Sequence, residues 1–207
     1  MTALDVLGWG GSALLVYSLL QTRILRLRLF NCLASVLLVI FNAAIAVWPM
    51  VGLNVALTVI NGFYIVRLLR GRHDPRTYEV VAVQPTEGFL RHLLHSFETD
   101  IRRFNPGFAP SEANETEFGF VILTGAEMVG VVLARDAGGG SAQVDLDYVL
   151  PKYRDFCPGE FVYRRGGPFT ARGYRQVIAP PRMLSAEDYM RKVGFRSKGD
   201  AMVLDLA

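Results

Sequence analysis

Two aspartates alternate with apolar residues in the run Val144-Asp145-Leu146-Asp147-Tyr148, a period of two that predicts a strand. An ideal strand sends Asp145 and Asp147 to one face and Val144, Leu146 and Tyr148 to the other. Either carboxylate can then serve as a base, directly or through water, and the same pair also fits a polar, solvent-facing strand edge. The chain continues through Arg154-Asp155-Phe156-Cys157-Pro158-Gly159 into a predicted helix opened by Pro158. A strand that runs into a helix N-terminus presents free N–H groups and the positive end of the helix dipole to an anion. Gly159 allows close backbone approach. Cys157 adds a side chain to that loop, Pro158 has no N–H to donate although it suits a first helical turn, and Asp155 brings a negative charge near the anion.

Other reactive side chains form weaker patterns. His92 and His95 stand one helical turn apart, but no Cys, Asp or Glu cluster completes a metal site, and no metal is expected. Cys157 near a helix N-terminus has some nucleophile character, without a clear histidine partner. Gly138-Gly139-Gly140 reads as a hairpin turn, because no helix follows it. Cys32 and Cys157 make no disulfide framework and fit a reducing compartment.

The elements that must position these residues start at Tyr78. Tyr78–Val83 is a β-rich run, and Glu87–Phe104 has helical spacing with Phe89, Leu90, Leu93, Leu94, Phe97 and Ile101 on one face. Asn105–Glu117 is a loop. Phe118–Leu123, Met128–Ala134 and Gln143–Leu150 read as an antiparallel meander. A strand at Tyr174–Ala179, a helix at Ser185–Val193 with a Ser185/Asp188 capping pair, and a strand at Ala201–Leu206 complete the order.

Everything before this is of another kind. Residues 29–66 contain no Asp, Glu, Lys or Arg and are broken once, at Trp48-Pro49; Val6–Thr22 is uncharged as well. Each of the three stretches spans roughly 25–29 Å as a helix, close to a bilayer's hydrocarbon thickness. Three transmembrane helices at 1–70, a linker at 71–77 and a soluble domain at 78–207 are therefore expected. Arg23, Arg26 and Arg28 follow the first stretch, the wrong polarity for a cleaved signal peptide. With Arg67, Arg70 and Arg72 beyond the third, they place the N-terminus outside and the C-terminal domain in the cytoplasm of a bacterial-type inner membrane.

The formal charge of +3 comes from these flanks, since residues 77–207 hold 15 basic and 17 acidic side chains. That excludes a nucleic-acid partner read from charge. Asn54, Thr58 and Asn61 share a face of the third helix, Asn31, Ser35 and Asn42 one of the second, and Gly8 and Ser12 have small-xxx-small spacing. Such residues pack helices or line a polar path, and they point to self-association through the bundle, with the lipid bilayer as the other partner.

Three segments of the soluble part carry a resemblance. Val144-Asp-Leu-Asp-Tyr-Val-Leu-Pro-Lys-Tyr-Arg154 is similar to the central strand and its exit in the GNAT superfamily of acyl-CoA-dependent N-acetyltransferases. Arg154-x-x-Cys157-x-Gly159 resembles that family's pyrophosphate loop, and Tyr189-Met-Arg-Lys-Val-Gly-Phe195 its C-terminal Y-x-x-x-GF signature. The resemblance covers about residues 78–207. It implies an α+β fold, a mixed, mainly antiparallel sheet flanked by helices, with acetyl-CoA as co-substrate and an unknown amine as acceptor. The main chain of Val149 and Leu150 would pair with the pantetheine arm, and Arg154, Asp155, Phe156, Cys157 and Gly159 would lie along the pyrophosphate. Asp145 or Asp147 would be the base and Tyr189 the acid, although Met190 stands where that tyrosine is often found. The helices of residues 4–70 resemble SemiSWEET and PQ-loop half-transporters and small bacterial inner-membrane proteins. Three functions follow: a membrane-tethered N-acyltransferase, a non-catalytic acyl-CoA-fold interaction or sensor protein, and a half-transporter with a regulatory domain.

Overall fold

A computed structural model describes residues 2–71, 77–108, 116–179 and 187–206. The chain divides into two compact units, one of Met1–Asp74 with Pro151–Phe156 and one of Pro75–Leu150 with Cys157–Ala207. The predicted linker lies almost wholly outside the described residues.

The first unit contains helices α1 (Ala3–Leu19), α2 (Ile24–Ala44) and α3 (Trp48–Gly71). A reciprocal cap starts α1: Thr2 Oγ1 accepts from the Asp5 amide at 3.2 Å, and the Asp5 carboxylate from the Thr2 amide at 2.7 Å. Pro49 stands in the first turn of α3, where an N–H is not needed. Of the three expected spans, α2 and α3, with 21 and 24 residues, are long and apolar enough to cross a membrane, whereas α1 has 17. Large apolar side chains such as Trp9, Leu20, Val59 and Phe63 stand exposed, so the bundle is not wrapped in a polar surface.

Four polar residues inside the bundle turn back on their own helices, whereas Asn61 of α3 also donates to Asn31 of α2 at 3.4 Å. Ser35 bonds to the Asn31 carbonyl (2.9 Å), Asn42 to Leu38 (2.7 Å), Asn54 to Met50 (2.9 Å) and Thr58 to Asn54 (2.8 Å). These bonds satisfy the side-chain donors within their own helices. The close approach of α1 to α2 uses Gly8 and Gly11; Ser12 is exposed. A Cβ on Gly8 would stand 2.7 Å from the Phe41 ring, and one on Gly11 3.0 Å from Leu38.

The second unit is an α+β domain on a seven-stranded sheet: β1 (Glu79–Val83), β2 (Phe118–Thr124), β3 (Glu127–Gly138), β4 (Ser141–Val149), β5 (Gln176–Ala179), β6 (Arg196–Lys198) and β7 (Ala201–Asp205). The strand order is β1-β2-β3-β4-β5-β7-β6, antiparallel except where β4 meets β5. That parallel pairing covers only Ser141–Gln143 with Gln176–Ile178, so β4 runs on past β5. Gly138, Gly139 and Gly140 all have positive φ and form the β3–β4 turn, as expected.

The predicted helix at Glu87–Phe104 is two, α4 (Gly88–Ser96) and α5 (Glu98–Phe104), because Phe97 at φ −104°, ψ 12° leaves the helical region. The apolar spacing largely survives the break: Leu90, Leu94, Ile101 and Phe108 pack on Val121, Val131, Leu133, Leu146 and Tyr148 of the sheet, whereas Phe89, expected on the same face, is 70% exposed. The opposite face is aromatic. Two short helices after β4, α6 (Glu160–Tyr163) and α7 (Pro168–Ala171), lay Tyr163 and Phe169 against Phe120 and Phe195. The predicted Pro158 helix is thus a single turn, and helix α8 is described from Glu187 to Val193, with Ser185 outside the described residues.

One irregularity changes the reading of β4. Leu133 pairs with Leu146 but Ala134 pairs with Val144, so Asp145 is the extra residue of a β-bulge. The expected face-sharing of Asp145 with Asp147, and of Val144 with Leu146, does not hold. Val144 crosses to the face of Ala134, and the two aspartates part.

Candidate active site

Asp147, on the stretch of β4 beyond β5, is the meeting point of three elements. Its Oδ2 accepts hydrogen bonds from Tyr163 of α6 at 2.9 Å and from Tyr189 of α8 at 3.2 Å. Each donor is placed by a local device. Tyr163 is fixed by its neighbours, with Phe169 stacked at 5.8 Å and Phe195 edge-on at 5.1 Å. Tyr189 is set by the way α8 ends. The Phe195 amide bonds to the Met190 carbonyl (3.0 Å) and the Gly194 amide to Arg191 (3.1 Å), with Gly194 at φ +108°. This is a Schellman motif, which glycine enters at no steric cost, and it explains the Gly-Phe pair of the sequence signature. Met190 is fully buried in the core, so Tyr189 is the residue of this turn that reaches the aspartate.

Gly159 completes the cluster. A Cβ there would collide with the Tyr189 hydroxyl and stand 3.5 Å from Asp147 Oδ2. Glycine is required here for space, as its N-cap φ of −59° is open to any residue.

Removal from water pushes the Asp147 carboxyl up from its ordinary 3.8 to about 6, against the opposing pull of the two tyrosine hydrogen bonds. Burial, with the negative charge of Asp147, holds both tyrosines well above their ordinary 10. At neutral pH the site is therefore an ionised carboxylate fed by two protonated phenols. Asn105 supports it from behind, its Nδ2 donating to the Asp147 carbonyl at 3.4 Å.

The other predicted site residues are distributed as follows. Asp145 faces Arg135 at 3.5 Å, away from the tyrosines. Val149 pairs with Gly130, and the Leu150 amide bonds to the Val129 carbonyl at 2.9 Å, so that amide is already used within the sheet. Arg154, Asp155 and Phe156 belong to the first unit. There Asp155 is matched by Arg23 at 2.8 Å and Arg26 at 3.8 Å, and Phe156 is buried. Cys157 adopts φ +48°, a left-handed conformation that favours glycine. The N–H groups of Cys157 and Gly159 donate to no protein acceptor among the described residues. Those of Glu160, Phe161, Val162 and Tyr163 are taken up by the turn itself.

Sequence reasoning missed Tyr163. It sits in a one-turn helix too short to show periodicity, and the only available signal is its place four residues after Gly159. His95 pairs with Glu98 at 3.3 Å, and among the described residues no group of three or more His, Cys, Asp or Glu is placed to hold a metal.

No protein-family model matches the chain, and no curated protein matches it in sequence. Among solved structures, the chain is similar to an acetyltransferase of the GNAT family from Staphylococcus aureus (11% identity, TM-score 0.44), covering 62% of this chain and 100% of that one. It is likewise similar to a protein described as an acetyltransferase of that family from Desulfovibrio desulfuricans, at 14% identity and a TM-score of 0.43 with the same coverages.

Proposed function

We propose that the chain is a membrane-tethered N-acyltransferase that transfers acetyl from acetyl-CoA to an amine at the cytoplasmic face. The observation that carries this reading is the Asp147 carboxylate, raised to about 6 and shared by Tyr163 and Tyr189. Acyl transfer from a thioester needs a base for the attacking amine and an acid for the departing thiolate, both at one place. Asp147 is ionised at neutral pH and takes the proton. Its neutralisation then removes the charge that holds Tyr189 up, which makes the phenol a better donor to the thiolate.

The unused amides of Cys157 and Gly159 suit an anionic cofactor, here acetyl-CoA, which supplies the activated acyl group when bound. Tethering is supported by the two long apolar helices. The Arg23–Asp155 pair is in keeping with the first loop and the segment Pro151–Phe156 lying on one side of the membrane. The second reading, a non-catalytic acyl-CoA-fold protein, is favoured by the single-turn α6, which offers an anion little helix dipole.

Titration calorimetry of the full chain in mild detergent with acetyl-CoA, followed by mass spectrometry of a panel of amines, separates the two. Binding with transfer supports the enzyme, and binding without transfer supports the second reading. A folded chain that binds no acetyl-CoA at millimolar ligand overturns the enzyme and leaves the interaction reading in its place. A C-terminal reporter active only when exported checks the orientation; a signal from it reverses the topology.

A further inference from the structure

Between Val6 and Val66 the charged side chains are Arg23, Arg26 and Arg28. Asp155 answers the first two, but Arg28 has no carboxylate partner among the described residues. It is nevertheless held in place. Its guanidinium donates to Asn61 Oδ1 at 3.2 Å and lies 4.6 Å from the centroid of the Tyr64 ring. Asn61 is only 2% exposed, and its amide is fixed in turn by the Leu57 carbonyl (2.8 Å) and Asn31 Oδ1 (3.4 Å). A cation oriented by a buried amide and an aromatic face, within an apolar helix pair, calls for an anion.

The surface beside it tells which kind. Ile60, Phe63, Arg67 and Arg70 follow one another at i, i+3, i+7 and i+10, a single stripe along α3. Ile60 and Phe63 are 48% and 63% exposed. Arg67 and Arg70 are exposed too and form no ion pair among the described residues. The stripe is apolar toward the middle of the helix and cationic toward its end, with Arg28 over the neighbouring Tyr64. That is the profile of a phospholipid, acyl chain first and phosphate above it. A free phosphate ion would make no use of the apolar half.

We infer that this end of the α2–α3 pair is a binding site for an anionic phospholipid. Its phosphodiester is held by Arg28, Arg67 and Arg70 add positive charge, and an acyl chain lies along Ile60 and Phe63. The inference rests on the membrane reading, and an alkaline wash of membranes tests that reading separately: a chain that washes off refutes both, whereas one that stays leaves the lipid site to be judged alone.

The judging experiment is native mass spectrometry of the full chain in mild detergent, titrated with phosphatidylglycerol or phosphatidylcholine. The wild type should retain phosphatidylglycerol in preference. Arg28→Gln should lower that retention about ten- to a hundredfold, the loss of a charge-assisted bond to phosphate. Arg67→Gln, at an exposed position, should lower it about fivefold with an unchanged melting temperature, and it carries the test if the Arg28 variant fails to fold. Equal retention of the two lipids, full retention by both variants, or complete displacement by inorganic phosphate would overturn the proposal.

Discussion

The hydroxyl of Tyr189 lies 3.2 Å from the carboxylate of Asp147, although the two residues are 42 positions apart. Strand β4 and the terminating turn of α8 exist in this arrangement to bring them together, and most of what can be tested about the site follows from the pair.

Asp147→Asn should abolish the base. Transfer should fall about 10²- to 10⁴-fold, and the wild-type rate should decline as pH drops below about 6, where the carboxylate takes up its proton. Stability moves the other way. With the folded pKa above the unfolded value, the stabilising contribution of Asp147 is fully present below about 4 and lost as pH rises through about 6. The Asn variant should therefore gain on the wild type across that window, by at most about 3 kcal/mol. Denaturant titrations from pH 4 to 8 measure the crossover; parallel curves would mean an unperturbed carboxylate.

Tyr163→Phe and Tyr189→Phe each remove a hydrogen bond that steadies the ionised form. Both should raise the acid limb of the rate profile above 6 and cost roughly 1 kcal/mol of stability. Tyr189→Phe should in addition lower the rate at the optimum. Equal optima for the two variants would take the acid role from Tyr189.

Gly159→Ala places a methyl group where the Tyr189 hydroxyl lies. The rate profile should change toward that of Tyr189→Phe, although neither reacting side chain has been touched. An alanine variant with wild-type kinetics would show that Tyr189 can leave its position without consequence.

Cys157→Gly relieves a left-handed conformation that costs an ordinary residue about 1–2 kcal/mol, offset by glycine's greater freedom in the unfolded chain. A net gain of up to about 1 kcal/mol is expected, whereas Cys157→Val should destabilise. Thermal melts of the two variants would read the difference, and a stabilising valine would contradict the assigned φ.

The legible part of this molecule is its periodic part. The meander β2–β3–β4, the amphipathic spacing of Leu90 to Ile101 and the uncharged run around Trp48-Pro49 are long patterns, and the structure places elements on them. What escaped is decided by single residues. The helix break at Phe97 leaves the apolar spacing intact and so has no signature, and the bulge at Asp145 reverses one face of β4 without altering its alternation in sequence. Tyr163 owes its place to packing between Phe169 and Phe195, which no local pattern records. The β6–β7 hairpin could have been found, since Lys198-Gly199-Asp200 is a turn sequence and Gly199 has φ +62°.

The Arg23–Asp155 bond joins residues 132 positions apart within the first unit. During synthesis the three helices are complete as soon as Gly71 has left the ribosome, yet the countercharge for Arg23 has not been made. At translation rates of about 5–20 residues per second, the 84 residues from Gly71 to Asp155 take roughly 4–17 s. Through that interval the helices stand with an unmatched arginine loop, and the arrival of Asp155 marks the moment at which the unit made first is finished by a segment made later.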